Sequence, residues 1–125
     1  MAPGFERGPA PPGPSVQGFS GGGFIVDGQA YQGVLLTPER AAPWQAPPLS
    51  NLTVEALDDL LLLQPPAEFL ILGTGASMAF APPGFVRALE ARGIGVEAMD
   101  SRAAARTWGV LRAEERWIVA ALMPL

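Results

Sequence analysis

The chain has 125 residues, enough for one domain with a modest core. Hydrophobic residues make up 49% and charged residues 16%, and the net charge of −4 gives no basic face for nucleic acid. Histidine, cysteine and lysine are absent, which excludes Ser-His-Asp and Cys-His catalysis, Schiff bases, disulfides and His- or Cys-based zinc sites. Carboxylates, arginines, hydroxyls and backbone amides remain, and this set suits binding better than catalysis.

The apolar segments are too short to cross a membrane. The longest, residues 60–72, is interrupted by Gln64-Pro65-Pro66 and by Glu68, whereas a membrane helix needs about 20 apolar residues. Residues 1–20 also lack the basic start and continuous apolar core of a signal peptide. We therefore expect a soluble, cytoplasmic protein, and the residue types suggest no metal and no cofactor.

Residues 1–20 are rich in proline and glycine and predict a disordered tail. Gly21-Gly22-Gly23 marks the boundary, so a single folded domain is expected over residues 21–125. A tail of this kind is either a plain flexible terminus or a docking peptide.

The first predicted strands form an amino-terminal β-hairpin. Phe24-Ile25-Val26 is followed by the turn signal Asp27-Gly28 and by a return strand over residues 31–37. Residues 38–52 are predicted to be an extended loop over the sheet. Within it, Trp44 is either a lid on the core or a platform for a ligand.

A first helix is expected to begin at Thr53, which can cap it. One face of this helix is apolar: Val54, Leu57, Leu60 and Leu61. The adjacent acids Asp58 and Asp59 could form a paired-carboxylate site. Consecutive helical residues point about 100° apart, however, which favours a solvated acidic face.

Apolar strands and helices alternate through the rest of the chain. Strands are predicted over residues 69–72, 95–99 and 117–122, the last of them central, and helices begin at Pro82-Pro83 and near Arg102. Two β-α-β units after a hairpin predict an α/β fold. We expect one three-layer domain with a mixed, mostly parallel central sheet and flanking helices.

Two strand ends define a candidate crevice. Gly73-Thr74-Gly75 follows one strand, Met99-Asp100 ends the next, and Arg106 and Thr107 lie on the helix after it. The carboxyl ends of neighbouring parallel strands meet at one edge of a sheet, where α/β proteins bind ligands. The segment 73–78 imitates a dinucleotide-binding fingerprint without its third glycine, so it is either a nucleotide loop or a tight turn.

The orientation of this last helix follows from its sequence pattern. Ser101 is expected to cap it, and Trp108 is expected in the core or at an interface. The predicted buried stripe comprises Ala103, Thr107, Val110 and Leu111. Two arginines are predicted to point outward: Arg102 and Arg112.

Arg106 is expected at the edge of the buried stripe and has two readings. It either braces the fold by pairing with Asp100 or Glu97, or binds an anion together with the amides of residues 73–75.

Several motifs, in this order, resemble a known family. The motifs are Phe24-Ile25, Tyr31–Leu36, Leu70–Gly75, Gly93–Asp100, Ala104–Thr107, Glu115-Arg116 and Ala120–Leu122. They resemble the small α/β family of unknown bacterial function whose mitochondrial member is a respiratory complex I assembly factor. The adipogenesis-associated animal protein shares the fold. The resemblance covers residues 21–125 and implies three layers around a mixed, mostly parallel sheet.

The same resemblance implies a non-catalytic factor that helps to build respiratory membrane complexes. The family's shared motifs coincide here with Gly73, Thr74, Gly75, Met99, Asp100, Arg106 and Thr107. Four positions depart from the usual family residues: Ser101 (commonly threonine), Ala105 (often cysteine), Trp108 (commonly tyrosine) and Gly109 (commonly asparagine). Losing the cysteine and asparagine weakens any role that needs a thiol or an amide there. An assembly role needs only a surface.

Two hypotheses of function follow. The first is a non-catalytic interaction protein, an assembly or chaperone-like factor for a larger, respiratory membrane complex, with a protein partner at the membrane periphery. The low share of charged residues is also compatible with a homodimer. The alternative is a binder of a small anionic ligand or nucleotide, or a weak enzyme, that uses residues 73–75 with Asp100 and Arg106.

Overall fold

The computed structural model describes residues 13–125. Its strands are β1 (Val16–Ser20), β2 (Gly23–Val26), β3 (Gln29–Tyr31), β4 (Val34–Leu36), β5 (Ala41–Pro43), β6 (Phe69–Gly73), β7 (Gly95–Met99) and β8 (Val119–Leu122). Its α-helices are α1 (Asp58–Leu61), α2 (Pro83–Glu90) and α3 (Ser101–Ala113), and short 3-10 helices span Leu49–Asn51 and Val54–Leu57.

The strands form two sheets. The central sheet has five strands in the order β5-β4-β8-β6-β7. Strand β6 pairs in parallel with β7 and β8, while β4 pairs antiparallel with β5 and β8, so the two pairing modes are equal in number. The predicted mixed sheet and the central position of the last strand are confirmed. Strands β1, β2 and β3 form a separate antiparallel sheet.

Hydrophobic side chains cover both faces of the central sheet. Alternation along β6 places Leu70 and Leu72 in one cluster, with residues of α1 and α2, and Ile71 in the other. The second cluster includes Trp108 of α3 and Phe24 of the small sheet. The result is the predicted three-layer arrangement, in which the small sheet shares one outer layer with α3.

The amino-terminal hairpin connects β2 to β3 at Asp27-Gly28, as predicted. Both turn residues have positive φ, 49° and 84°, which the tightest hairpin turns require. The predicted return strand over residues 31–37 is wrong as one strand, because β3 and β4 belong to different sheets. The chain changes sheet at Gly33, where a Cβ would lie only 2.5 Å from the carbonyl oxygen of Trp44.

The loop predicted over residues 38–52 contains the short edge strand β5. Trp44, directly after β5, is a lid on the core, which is one of the two roles predicted for it. It is buried, and its indole N–H donates to the carbonyl of Ala56 at 3.2 Å. The helix expected after Thr53 starts as the 3-10 helix Val54–Leu57 and continues as α1, with Leu57 and Leu60 buried.

The predicted start of the folded domain at residue 21 is wrong. Residues 16–20 form β1, which pairs antiparallel with β2. The indole N–H of Trp108 also donates to the carbonyl of Pro14 at 3.0 Å. The Trp108 bond spans 94 residues and has no local signal, and the proline and glycine content of residues 1–20 hid the β1–β2 hairpin, whose strands are linked by Gly21-Gly22. The rest of the predicted tail, residues 1–12, lies outside the described residues.

None of the helices within residues 13–125 has the length and hydropathy that crossing a bilayer would require.

Candidate functional site

The candidate crevice forms where β6 and β7 end side by side. Gly73 is the register partner of Met99, and the N–H of Thr74 donates to the Met99 carbonyl at 2.8 Å. The hydroxyl of Thr107 contacts the Met99 sulfur at 3.4 Å. The structure therefore brings together the predicted residues Gly73, Thr74, Gly75, Met99 and Thr107.

Ser101 ties this crevice to the end of the chain. Its fully buried hydroxyl accepts from the N–H of Gly75 at 2.9 Å and donates to the Met123 carbonyl at 2.7 Å. Its own N–H donates to the Gly75 carbonyl at 2.8 Å. The hydroxyl thus joins three segments, a role that the sequence does not reveal because two partners lie more than twenty residues away.

The predicted capping role of Ser101 is wrong, because Asp100 caps α3. The carboxylate of Asp100 accepts from the N–H of Ala103 at 2.9 Å. Aspartate and serine are equally favoured caps, so the sequence does not show which of these two adjacent residues caps the helix.

The glycines of the loop have structural reasons for being glycine. A Cβ on Gly73 would stand 2.7 Å from the Ser101 Oγ and 3.0 Å from its Cα. Gly75 has a φ of 103°, which residues with side chains rarely adopt. Close packing and a turn therefore account for both glycines without a ligand.

Thr74 holds the next segment in place. Its hydroxyl donates to the Ser77 carbonyl at 2.7 Å and accepts from the N–H of Ala79 at 3.1 Å. We call residues 76–82 the apolar loop. It displays Phe80 with 84% of its surface exposed and Met78 with 50% exposed.

An open groove lies beside the apolar loop. Its volume is about 600 Å³, and its lining is mostly apolar: Leu49, Ser50, Phe80, Ala81, Pro82 and Pro83. Sequence reasoning missed this surface, since a loop has no periodicity to separate exposed from buried side chains. The available signal was a phenylalanine and a methionine in a segment bounded by Gly75 and Pro82, outside any predicted helix or strand.

Arg106 lies on the side of α3 that faces β1. It is exposed and lines a small cavity of about 120 Å³ with residues 16–19 of β1 and Ala105. Asp100 is engaged as the helix cap, and among residues 13–125 Arg106 forms no ion pair with Asp100 or Glu97. The predicted internal brace is therefore absent from the described structure.

The buried face of α3 consists of other residues than the four predicted. Ala104, Ala105 and Trp108 are buried, whereas Val110 is 59% exposed. Arg112, predicted to point outward, is only 8% exposed and donates to the Arg116 carbonyl. The helix packs through alanines against the sheet, and a hydrophobicity pattern gives such small residues too little weight. The outward direction of Arg102 and the core position of Trp108 are confirmed.

An ion pair lies at the opposite end of β6. The guanidinium of Arg116 donates to the Glu68 carboxylate at 2.9 Å, and the N–H of Trp117 donates to the same carboxylate at 3.1 Å. These hydrogen bonds, led by that from Arg116, hold the pKa of Glu68 below its usual range. Both side chains are exposed, and the pair stands apart from the crevice.

Acidic residues do not cluster in a way that could bind a metal ion anywhere in the part of the chain described here.

The chain is similar to proteins that have been named and to structures that have been solved. A family model described as a protein of unknown function, DUF498/DUF598, matches residues 16–123. An NADH dehydrogenase [ubiquinone] 1 alpha subcomplex assembly factor 3 from Danio rerio is 34% identical over 110 residues, which are 87% of this chain and 63% of that protein. The chain thus spans less than two thirds of that relative.

Bacterial proteins match over more of their own length. An uncharacterised protein of Rhodobacter capsulatus is 35% identical over 114 residues, covering 88% of this chain and 84% of that protein. A crystal structure of a Bordetella parapertussis protein superposes with a TM-score of 0.82 at 35% identity, covering 94% of this chain and all of that one. Since the family model also matches well over half of its residues, the chain belongs to the DUF498/DUF598 family of proteins of unknown function.

Proposed function

We propose that this protein is a non-catalytic interaction protein, an assembly or chaperone-like factor for a larger complex. The complex it serves is of the respiratory membrane type, which the protein meets from the cytoplasm and at the membrane periphery. Relatives named as complex I assembly factors support a role of this class. The family membership itself leaves the activity open.

The exposure of the apolar loop is the main structural support for the proposal. Phe80 is 84% exposed beside an apolar groove, although an isolated domain gains nothing from displaying a phenylalanine in water. The hydroxyl of Thr74 fixes the backbone at Ser77 and Ala79, so the loop is held at its start before any partner arrives. A preorganised aromatic anchor loses less conformational entropy on binding than a flexible one.

The alternative of an anion or nucleotide site has weaker support. The N–H groups of Thr74 and Gly75 already donate to the Met99 carbonyl and the Ser101 hydroxyl. A phosphate would have to displace these bonds, whereas anion-binding loops direct free N–H groups at the ligand. Arg106 lies on the side of α3 that faces β1, and the Asp100 carboxylate caps this helix. Neither side chain is therefore paired with a group of residues 73–75.

Affinity purification from the source cells tests the proposal. We expect the tagged wild-type protein to retain a stoichiometric subunit of a larger complex, and Phe80→Ser to lose it. Leu62→Ser is the matched control, since Leu62 is a large apolar residue with 74% exposure that does not line the groove. It should retain the same subunit.

Other outcomes would contradict the proposal. Equal recovery by the wild type and by Phe80→Ser would remove the apolar loop from the interface. Turnover of a metabolite by the pure domain would exclude a non-catalytic role. A rise in melting temperature with phosphate, nucleotide or carboxylate ligands that Arg106→Ala abolishes would favour the ligand hypothesis instead.

A further inference from the structure

The outer face of α3 is unusual for a helix in contact with water. Its exposed residues are Arg102, Arg106, Gly109, Val110 and Ala113. Val110 is 59% exposed, and small or apolar residues occupy the second half of a face that is normally polar. This face points away from the central sheet, on the opposite side of the molecule from the α1 and α2 layer.

Two charges at the ends of this face oppose the dipole of the helix. Arg102 and Arg106 lie in its amino-terminal half, and Glu114 stands at the C-cap position. A helix dipole favours acids in the first turn and cations in the last, so Arg102 and Glu114 are placed unfavourably, whereas Arg106 lies beyond the first turn. Such an arrangement becomes favourable beside a second helix that runs in the opposite direction.

One of the three charges has a close neighbour, since the Arg102 guanidinium lies 5.5 Å from the centre of the Phe19 ring. Within residues 13–125 the ion pairs are Arg40–Asp59 and Glu68–Arg116, so neither Arg106 nor Glu114 belongs to one. Arg116, two residues after Glu114, is itself held by Glu68 at 2.9 Å.

Val110 lies midway between two opposite charges, Arg106 and Glu114. Arg106 precedes it by four residues and Glu114 follows it by four, so all three lie on one stripe of the helix. We propose that a second copy of this chain binds here, with the two α3 helices antiparallel about a two-fold axis at Val110. Arg106 of each copy then faces Glu114 of the other, and the two Val110 side chains meet.

The composition of the face fits a close antiparallel pair. Gly109 has open space around its Cα, and Ala113 is small, so the two helices can approach closely. A two-fold axis uses the same patch twice, which makes the charge pattern self-complementary. A two-fold axis at Val110 places only residues 107–113 of the two helices side by side, a length of about 10 Å, and this contact is smaller than the roughly 800 Å² per partner of a stable interface. The dimer is therefore weak and depends on concentration and salt.

Sedimentation velocity over a dilution series tests this surface by charge reversal. We expect wild-type protein to shift from monomer to dimer as concentration rises. Arg106→Glu alone and Glu114→Arg alone each place like charges opposite one another and weaken self-association by roughly tenfold. An equal mixture of the two single variants forms a heterodimer in which both ion pairs are restored, so association should return.

Matched controls keep the test specific. Arg92→Glu makes the same charge change at an exposed arginine outside α3 and should associate as the wild type does. Circular dichroism of every variant shows that it is folded. A wild type that stays monomeric at all concentrations would overturn the proposal. So would a dimer that both single variants retain, or a mixture that associates no better than either variant alone.

Discussion

Ser101 shows how one small side chain can organise a strand-end crevice. Its hydroxyl accepts from Gly75 and donates to the Met123 carbonyl, and the residue has no solvent exposure. The N–H groups that a ligand would need at this edge are therefore used inside the fold. The resemblance to a dinucleotide loop at residues 73–78 arises from close packing and a turn.

We expect Ser101→Ala to lower the free energy of unfolding by about 1–3 kcal/mol, because it leaves the buried N–H of Gly75 and carbonyl of Met123 without partners. Urea denaturation followed by circular dichroism measures the change. Ser77→Ala is the control, since the Ser77 side chain is exposed, and it should be neutral. An equally small effect at Ser101 would mean that the hydroxyl does not join these segments.

A second residue-scale prediction concerns Gly73. Adding one methyl group by Gly73→Ala should cost about 1–3 kcal/mol of stability, because the new Cβ would meet Ser101 at 2.7 Å and Leu122 at 3.0 Å. Thermal unfolding compares it with Gly84→Ala, where no atom lies within 4 Å of the new Cβ. A wild-type melting temperature for Gly73→Ala would contradict the close packing described at this loop.

At the scale of elements, the start of α3 positions the candidate site. Asp100 caps the helix, and Ala104 and Ala105 let it lie close to the sheet. The same placement buries Trp108 and turns Val110 outward. The surface of α3 is thus determined by its small residues as much as by its large ones.

Removing the cap should destabilise the helix. Asp100→Ala should lower the free energy of unfolding by about 1 kcal/mol, and Asp100→Asn should retain most of it because its side-chain oxygen can still accept from Ala103. Urea denaturation at neutral pH distinguishes the two variants. Equal losses in both would show that the negative charge, and not the hydrogen bond, stabilises this terminus.

The ion pair between Glu68 and Arg116 joins the start of β6 to the segment that precedes β8. Because the folded state holds the pKa of Glu68 below its usual range, the pair stabilises the protein above the ordinary glutamate value of about 4.3. That stabilisation is lost as the pH falls through the lower pKa of the folded state.

We therefore expect wild-type protein to lose stability more steeply than Glu68→Gln between about pH 5 and pH 3. Urea denaturation at a series of pH values measures both slopes. Glu90→Gln controls for the removal of one negative charge, as Glu90 is exposed on α2 and has no ion pair within residues 13–125. Equal slopes for wild type and Glu68→Gln would mean that protonation of Glu68 does not affect the stability of the fold.

At the scale of the whole molecule, the sequence predicted the layers and the strand-end crevice well. Buried strands such as residues 69–72 and 119–122 are apolar runs bounded by turn residues, and that pattern is local. The Asp27-Gly28 turn and Pro83 at the start of α2 are equally local signals. Elements determined by neighbouring residues could therefore be predicted from the chain alone.

Features that depend on distant partners could not be predicted. The Trp108 indole bonds to the Pro14 carbonyl, 94 residues away, and the buried face of α3 depends on alanines that contact the sheet. The exposure of Phe80 follows from the path of a loop, which Thr74 fixes through hydrogen bonds. The surface that we propose for partner binding is for this reason the part of the site that sequence reasoning missed.

Contact between the apolar loop and another protein can be tested in the cell. A photoreactive benzoylphenylalanine at position 80 in living source cells tests this contact, with position 62, which is also largely exposed, as the control. We predict that illumination gives one discrete adduct at position 80, with a subunit of a larger complex, and none at position 62. No adduct at position 80, or the same adducts at both positions, would mean that the apolar loop is not the surface that binds a partner.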